Sequence, residues 1–259
     1  MKIDILLPYK EKFSPSSASA VSLTIKNAME YSKFFNNICV YGQNVTNPFY
    51  KKNFCGLNNN WILHRGHNRS LAYHYYRQYL TNDNEKKIIE IHNRPYIFSY
   101  LSKKINKQPI TMHFHNDPQT MKGSKTIQER EEILNNASGI YFVSNFIKNK
   151  FTEGLKNNNK NLYVINNGIE RKHKILPLKK KEILFVGRLV PEKGPDIFVK
   201  SIQTIAEKYK DWKFLIIGTS QAGQSSLKTR YEKNVIQEFL NCGSNVEYLG
   251  FLQNDLVQK

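Results

Sequence analysis

A chain of 259 residues with 40% apolar and 12% aromatic side chains has the material for packed cores, which excludes a disordered segment, and its length fits two ordinary domains better than one. Lys+Arg total 39 and Asp+Glu 21, a net charge of +18 that suits anionic substrates, an anionic membrane surface or nucleic acid; a Lys-, Asn- and Ile-rich composition also produces it without any partner. No run approaches the roughly 18 apolar residues of a spanning helix.

The opening MKIDILLPYK has too short an apolar core for a leader peptide and reads as a strand, Ile3 to Leu7, closed by Pro8. A polar loop, Tyr9 to Ser19, leads to a helix with Val21, Ile25, Ala28 and Met29 on one face. Ser16 and Ser17 suit its N-cap. A second strand, Ile38 to Tyr41, stops at Gly42, and the stretch around Cys55, Gly56 and Asn58 to Asn60 reads as irregular. WILHRG, Trp61 to Gly66, has the pattern of a short strand or strand end. The helix expected next, from about Ser70 to Leu80, carries Tyr73, Tyr75, Tyr76 and Tyr79 beside Arg65, Arg69 and Arg77. These rings either pack at i, i+3 spacing or stack on bases or sugars.

KIIEIHNRPYIFSYLSKKI, Lys87 to Ile105, reads as strand, turn and helix. His92, Asn93 and Arg94 fall at the carboxyl end of the strand, and Pro95 starts the helix. PITMHFHNDP, Pro109 to Pro118, repeats the arrangement with His113, His115, Asn116 and Asp117. GIYFVSNFIKNKF, Gly139 to Phe151, adds a strand, Ser144 as cap and a basic amphipathic helix, and LYVINNGIE, Leu162 to Glu170, closes the half. Polar residues gathering at one end of successive strands are the pattern of a crevice along the carboxyl edge of an open α/β sheet. Residues two apart on a strand face the same side, so His113 and His115, with Asp117 as a third group, also have the spacing of a metal pair. A hydrogen-bonded core histidine is the other reading of His113.

The basic, proline-containing RKHKILPLKKK, Arg171 to Lys181, has no periodicity and marks a boundary. It divides the chain into a domain over 1–172, a linker over 173–181 and a second domain over 182–259. The second domain opens with EILFVGRLVPEKGPDIFVKSIQTIAEKY. Its apolar run Ile183 to Val186 suits a strand buried on both faces of a parallel sheet. A turn bounded by Gly187 and Gly194 then carries Arg188 and Lys193. Pro195 begins a helix with Phe198, Ile202, Ile205, Ala206 and Tyr209 on one side. This order aims backbone N–H groups and a helix N-terminus at the carboxyl end of a sheet, where phosphates bind. The planar fork of Arg and the mobile charge of Lys together suit a diphosphate. WKFLIIG (Trp212 to Gly218), a helix from about Ser226 to Leu240 and the strand NVEYLG (Asn245 to Gly250) follow.

FVGRLVPEKG is similar to the donor-diphosphate loop of retaining glycosyltransferases of family 4. EIHNRP, MHFHNDPQTMKG and YFVSNFIKNKF resemble the bacterial members that build lipopolysaccharide core or other surface polysaccharides, and the resemblance runs from Ile3 to Leu252. It implies an α/β architecture of the GT-B type: two Rossmann-like domains facing a cleft, the second incomplete in this chain. The reaction implied is transfer of a sugar from a nucleotide-diphosphate donor to a glycan or lipid-linked acceptor with retention at the anomeric carbon. The sugar nucleotide is substrate, and no metal or other cofactor is expected. By the same resemblance, His115 lines the reaction centre, with His113 in reserve. Arg188 and Lys193 hold the diphosphate, Gly187 and Gly218 let it approach, and Asn93, Arg94 and Asn116 face the acceptor. Family members usually carry glycine in the turn after the first strand; SPSSASAV stands here, with Ser19 or Ala18 at that place, so Ser19 is assigned to the donor side.

A Glu-x7-Glu element, which in the family contacts donor sugar and ribose, is expected downstream of the strand Asn245 to Gly250, and the chain ends before it. The expectation is a fragment of a longer enzyme, or a truncated relative with little transfer activity of its own. Cys39, Cys55 and Cys242 form no CxxC or Cys/His spacing and suit a reducing cytosol. The expected location is cytoplasmic, with peripheral attachment to the inner, anionic face of the membrane. A non-catalytic sugar- or nucleotide-binding module descended from such a transferase is the alternative. Nucleic acid is not an expected partner, because no RNP, KH, zinc-finger or helix-turn-helix pattern appears. Neither G-x-S-x-G nor G-x-G-x-x-G is present, so neither a serine hydrolase nor a nicotinamide dehydrogenase is indicated.

Overall fold

A computed structural model describes residues 1–60, 62–81, 85–156, 161–169, 178–220, 229–252 and 254–257. The N-terminal strand forms as β1 (Lys2–Leu6) and becomes the centre of a seven-stranded sheet with β2 (Ile38–Gln43), β3 (Phe54–Leu57), β4 (Lys87–His92), β5 (Ile110–Phe114), β6 (Gly139–Phe142) and β7 (Leu162–Val164). The order is β3-β2-β1-β4-β5-β6-β7, and every pairing is parallel. Strand order reverses between β1 and β4. Chain leaving their carboxyl ends departs in opposite directions there, and a crevice opens at that edge.

Parallel pairing puts partnered residues on one face of the sheet. Ile89, Ile91, Met112, Phe114, Ile140 and Phe142 point to the same side, and each is at most 1% exposed. They form one core with α2 (His67–Thr81), α3 (Pro95–Ser102), α4 (Ile127–Asn136) and α5 (Asn145–Thr152). On the other face, α1 (Ala20–Glu30) covers β1 and β2 through Val21, Ile25 and Met29 against Ile5, Leu7, Ile38 and Val40. The second compact unit, Arg171–Lys259, has a three-stranded parallel sheet of order β10-β9-β8. Its elements are β8 (Glu182–Val186), α6 (Pro195–Ile205), β9 (Lys213–Ile217), α7 (Arg230–Leu240), β10 (Val246–Gly250) and a short α8 (Asn254–Val257). The first unit is Met1–Glu170.

Several sequence readings need correction. WILHRG is not a strand: Trp61 lies outside the described residues and 62–65 form turns, whereas the stretch read as irregular supplies β3 at Phe54–Leu57. Gly42 does not end β2 but sits inside it, opposite Gly56. On α1, Ser22 rather than Ala28 is buried. The cap is neither Ser16 nor Ser17: Ser19 accepts from Ser22 N and Ser22 answers in a reciprocal box. On α6, Val199 replaces Tyr209 on the packed face, and Tyr209 is 43% exposed. β8 is not buried on both faces; it forms the edge of its sheet, with Leu184 45% and Val186 49% exposed. Helix α4 had no counterpart in the sequence reading, although Thr126 and Glu129 close a capping box at its start. Tyr75 and Tyr79 are core residues of α2, which favours packing over stacking on a ligand. The linker region 170–177 and the segment 221–228 lie outside the described residues, and α7 is described from Arg230 with Thr229 as its cap.

Beneath α2 lies a buried ionic group. Asp4 accepts from Tyr75 Oη at 2.8 Å and pairs with Lys87 Nζ at 3.3 Å, and the two ions are 2% and 5% exposed. Burial pushes the Asp4 carboxyl up, while Tyr75 and Lys87 pull it down. Removing one member of such a pair strands the other charge. Asp4→Ala should therefore cost the fold about 3–5 kcal/mol in urea unfolding, and Asp4→Leu combined with Lys87→Met should recover most of that loss.

Candidate functional site

The chain turns out of β4 on a non-glycine residue in the left-handed region, Asn93 at φ +55°. A short polar side chain tolerates that conformation by bonding locally. Asn93 is 2% exposed; its N–H donates to His113 O at 2.8 Å, and its Oδ1 accepts from His115 N and Asn116 N, each at 3.3 Å. One buried amide thus fastens the end of β4 to the end of β5. Arg94 caps α3 and donates from Nη1 to Asn93 O at 2.7 Å. Asn116 is exposed just past the strand end. Asn93, Arg94, His113, His115 and Asn116 are brought together at adjacent strand ends. Ser19 caps α1, its hydroxyl engaged with Ser22.

On the sheet face opposite α3–α5, β4 to β7 carry a row of rings. His92 is partnered by His113, His113 by Tyr141 and Tyr141 by Tyr163 in the strand registers. The stacked rings are 4.3, 4.6 and 5.2 Å apart between centroids along that row. His115, beyond the end of β5, tilts against His92 with Nε2 2.9 Å from His92 Nδ1. Glu90 stands two residues before His92 on the same side, with Oε2 3.6 Å from His92 Nε2 and 4.0 Å from His113 Nε2. Thr111 Oγ1 is 3.1 Å from His113 Nε2. Glu90 and His92 were absent from the sequence-derived site. Their signal was the E-x-H alternation in KIIEIHN, two ionisable groups on one side of a strand whose other side carries Ile89 and Ile91.

Glu90, His92 and His113 offer donor atoms within 4.8 Å of one another, the spacing of a metal set. The rings of His92 and His113 are nearly parallel, at 19°. An imidazole binds a metal close to its own ring plane, and the planes of rings stacked at 4.3 Å and 19° do not meet within bonding distance, so one ring must turn before an ion fits. The pair His113 and His115 does not converge, because His115 turns to His92, and Asp117 accepts from Gln119 N at 2.9 Å instead.

Burial lowers the proton affinity of all three histidines: His113 is pushed down to about 3, His115 to about 4, and His92 well below its ordinary value, with His115 adding to the effect. Burial pushes the Glu90 carboxyl up, opposed by His113. All three imidazoles are neutral at neutral pH.

In the second unit, the turn after β8 is fixed by backbone bonds. Gly187 N donates to Ile217 O at 3.0 Å and Leu189 N to Thr219 O at 3.1 Å, while Leu189 is fully buried. Pro191–Lys193 makes a single 3-10 turn, and Gly194 enters α6 at φ +66° with no side-chain cap. Pro195 has no N–H, Ile197 N and Phe198 N donate to Gly194 O at 3.1 and 3.2 Å, and the Asp196 carboxylate occupies the same first turn, where it accepts from Tyr231 Oη at 2.6 Å. Arg188 Nη2 lies 2.5 Å from Glu192 Oε1, and both side chains are more than half exposed. Lys193 has no ion-pair partner among the described residues. Gly218, at φ +135°, is glycine because a Cβ there would stand 1.9 Å from Gly187 O; Gly187 itself has ordinary room for a methyl. The loop after β9 is held by Glu232, which is fully buried and accepts from Ser220 N at 3.0 Å and Ser220 Oγ at 2.8 Å.

Residues 166–259 match the family model of glycosyl transferases group 1. YtcC of Bacillus subtilis (strain 168), whose name describes it as a glycosyltransferase, is 28% identical over 151 residues, 51% of this chain and 36% of that one. An uncharacterized glycosyltransferase of Haemophilus influenzae is 33% identical over 94 residues, 36% of this chain and 26% of that one. The matched stretches thus span about a quarter to a third of these curated relatives. Among solved structures, Anabaena Alr3699/HepE in complex with UDP-glucose covers all of this chain, which spans 71% of it, at TM-score 0.68 and 16% identity. WaaG, a glycosyltransferase involved in lipopolysaccharide biosynthesis, aligns over 99% of this chain and 71% of its own at TM-score 0.60 and 10% identity. The fold is GT-B. Its two Rossmann-like units are the seven- and three-stranded parallel sheets described above.

The neutral histidines make stability depend on pH in a definite direction. The unfolded chain takes up a proton near pH 6.5, whereas folded His113 and His115 do so only near their lowered values. Each therefore removes about 2 kcal/mol of stability between pH 7 and pH 5, and His92 acts in the same sense. Glu90 opposes them: its raised carboxyl stabilises the fold below its ordinary 4.5, a contribution lost as pH rises through the folded value. The urea midpoint should fall from pH 7 to pH 5; a midpoint that stays level over that range contradicts a neutral histidine cluster.

Proposed function

We propose that this chain transfers a sugar from a nucleotide-diphosphate-sugar donor to a glycan or lipid-linked acceptor, with retention at the anomeric carbon, in lipopolysaccharide or surface-polysaccharide synthesis. The observation that carries the reading is the turn Gly187–Gly194: it lies inside the stretch matched by the group 1 model, and it sets Arg188 and Lys193 together ahead of α6. Preorganised positive charge is what a departing diphosphate requires. Arg188 and Lys193 supply it as side-chain charge. The pair with Glu192 does not block this role, because exposed ion pairs are worth only about 0–1 kcal/mol and a phosphate can displace the carboxylate.

In the first unit, His115 is assigned to the transferred sugar, and Arg94 and Asn116 to the acceptor. Asn93 acts on the acceptor side through the backbone N–H groups of His115 and Asn116 that it holds. The enzyme is placed in the cytoplasm on the inner membrane face. Phe146 on α5, 63% exposed, with Lys148 and Lys150 on the same helix, supports contact with anionic lipid, and no described helix is long and apolar enough to cross a membrane.

UDP is the probe for the donor site, since HepE is described with UDP and with UDP-glucose. By calorimetry, Arg188→Ala should weaken UDP binding roughly ten- to a hundredfold, the worth of one or two hydrogen bonds to a charged group. Glu192→Gln, which releases Arg188, should leave it equal or a few-fold tighter. Equal affinity in Arg188→Ala and the native chain would remove the donor-site assignment, and UDP binding without turnover on a panel of UDP-sugars would favour a non-catalytic relative. In sedimentation with vesicles containing anionic lipid, the protein should pellet at low ionic strength and be released by salt; failure to pellet at low salt assigns the charge to composition alone.

A further inference from the structure

We propose that Glu90 acts through His92 to set which ring nitrogen of His115 carries the proton, placing it on Nε2 and leaving Nδ1 bare. The inference rests on the reading that His115 stands at the transferred sugar, and it makes Glu90 and His92 positioning residues rather than catalytic ones.

The protons along this chain of atoms can be counted. His92 Nδ1 and His115 Nε2 are 2.9 Å apart, so one donates and the other accepts. A neutral imidazole has one N–H and one bare nitrogen. If His92 donated from Nδ1, its Nε2 would be a bare lone pair facing the Glu90 carboxylate at 3.6 Å. If His115 donates from Nε2, the single proton of His92 lies on its own Nε2 and points at Glu90 Oε2.

His92 is 6% exposed and its Nε2 has no hydrogen-bond partner, so the polar atom beside it decides between the two states. A distance of 3.6 Å is longer than a hydrogen bond, yet about 0.6 Å of movement closes it. Above the raised titration of its carboxyl Glu90 is ionised, and the carboxylate then attracts the N–H and repels the lone pair. His113 points the same way: Thr111 Oγ1 donates to Ile89 O and can accept from His113 Nε2, which puts a second N–H 4.0 Å from Glu90. A protonated Glu90 would donate to His92 Nε2 and reverse the chain. The charge on one strand residue is thus read out two rings away, on the nitrogen that His115 offers.

The test is two-bond 15N–1H correlation of the full 259-residue chain labelled at histidine, without substrate, with His115 signals assigned by their loss in His115→Gln. Native His115 should carry its proton on Nε2 when the spectra are recorded at a pH above the raised titration of Glu90. Glu90→Leu should lower the ratio of Nε2–H to Nδ1–H on His115 about tenfold, and Glu90→Gln, whose amide can both accept and donate, should lower it less. In a His92→Phe background, Glu90→Leu should change nothing further. A proton on Nδ1 in the native chain overturns the proposal, as does an unchanged ratio in the substituted chains. Should Glu90→Leu fail to fold, the isosteric Glu90→Gln decides by the same ratio. Because the ratio is read without donor or acceptor, loss of transfer in His115→Ala is a separate result. Expected tautomers with undiminished transfer in that variant would remove the catalytic assignment alone.

Discussion

Everything in the first unit's candidate site depends on the side-chain amide of Asn93. A parallel sheet brings strand ends side by side but leaves the chain beyond them without ladder partners, so loops there need another anchor. Asn93 provides it by leaving β4 in the left-handed region and turning its carbonyl oxygen onto the N–H groups of two successive residues past β5. The position of His115 follows, and with it the reach of that ring back to His92. A larger side chain would be strained at this φ, and an aliphatic one would take the acceptor away from two half-buried N–H groups.

The second unit solves a related problem by close approach. Gly218 brings the ends of β8 and β9 together so tightly that no other residue fits, and Glu232 spends both carboxylate oxygens on Ser220 in the loop that follows. One device is steric and the other is a hydrogen-bonded strut. Both leave the exposed turn Gly187–Gly194 as the place where charge is available to a ligand, because Leu189 anchors its middle and Arg188 and Lys193 stand clear of the core.

How much of this was legible in the residues follows from which signals are local. Strand–turn–helix units with an apolar run, a proline at the first helical position and polar strand ends declared themselves, as at KIIEIHNRP and PITMHFHNDP. Missed elements had weaker local marks: β3 is only four residues long and contains glycine, and α4 has a polar surface with only Arg130 and Ile133 buried. The exposed face of β8 was misread because an apolar run looks the same in a central strand as at an edge. Glu90 escaped for a different reason. Its meaning comes from His92, His113 and His115, which sequence separates by up to 25 positions, and only the strand register brings those rings into one row.

That row also bears on how the chain tolerates insertion and deletion. Each ring of the ladder is one residue from one strand, and alternate residues of a strand face opposite sides, so a single residue added inside β5 ahead of His113 would carry that histidine toward the apolar core and swing a hydrophobic neighbour onto the ring face. The same residue added at the exposed positions 106–107, past the end of α3, would be absorbed by a turn without moving any ring. Length variation in descendants of this sequence is therefore channelled to the ends of the sheet: the loops are free to lengthen and diversify, while the strand interiors are locked in length by the side chains they align.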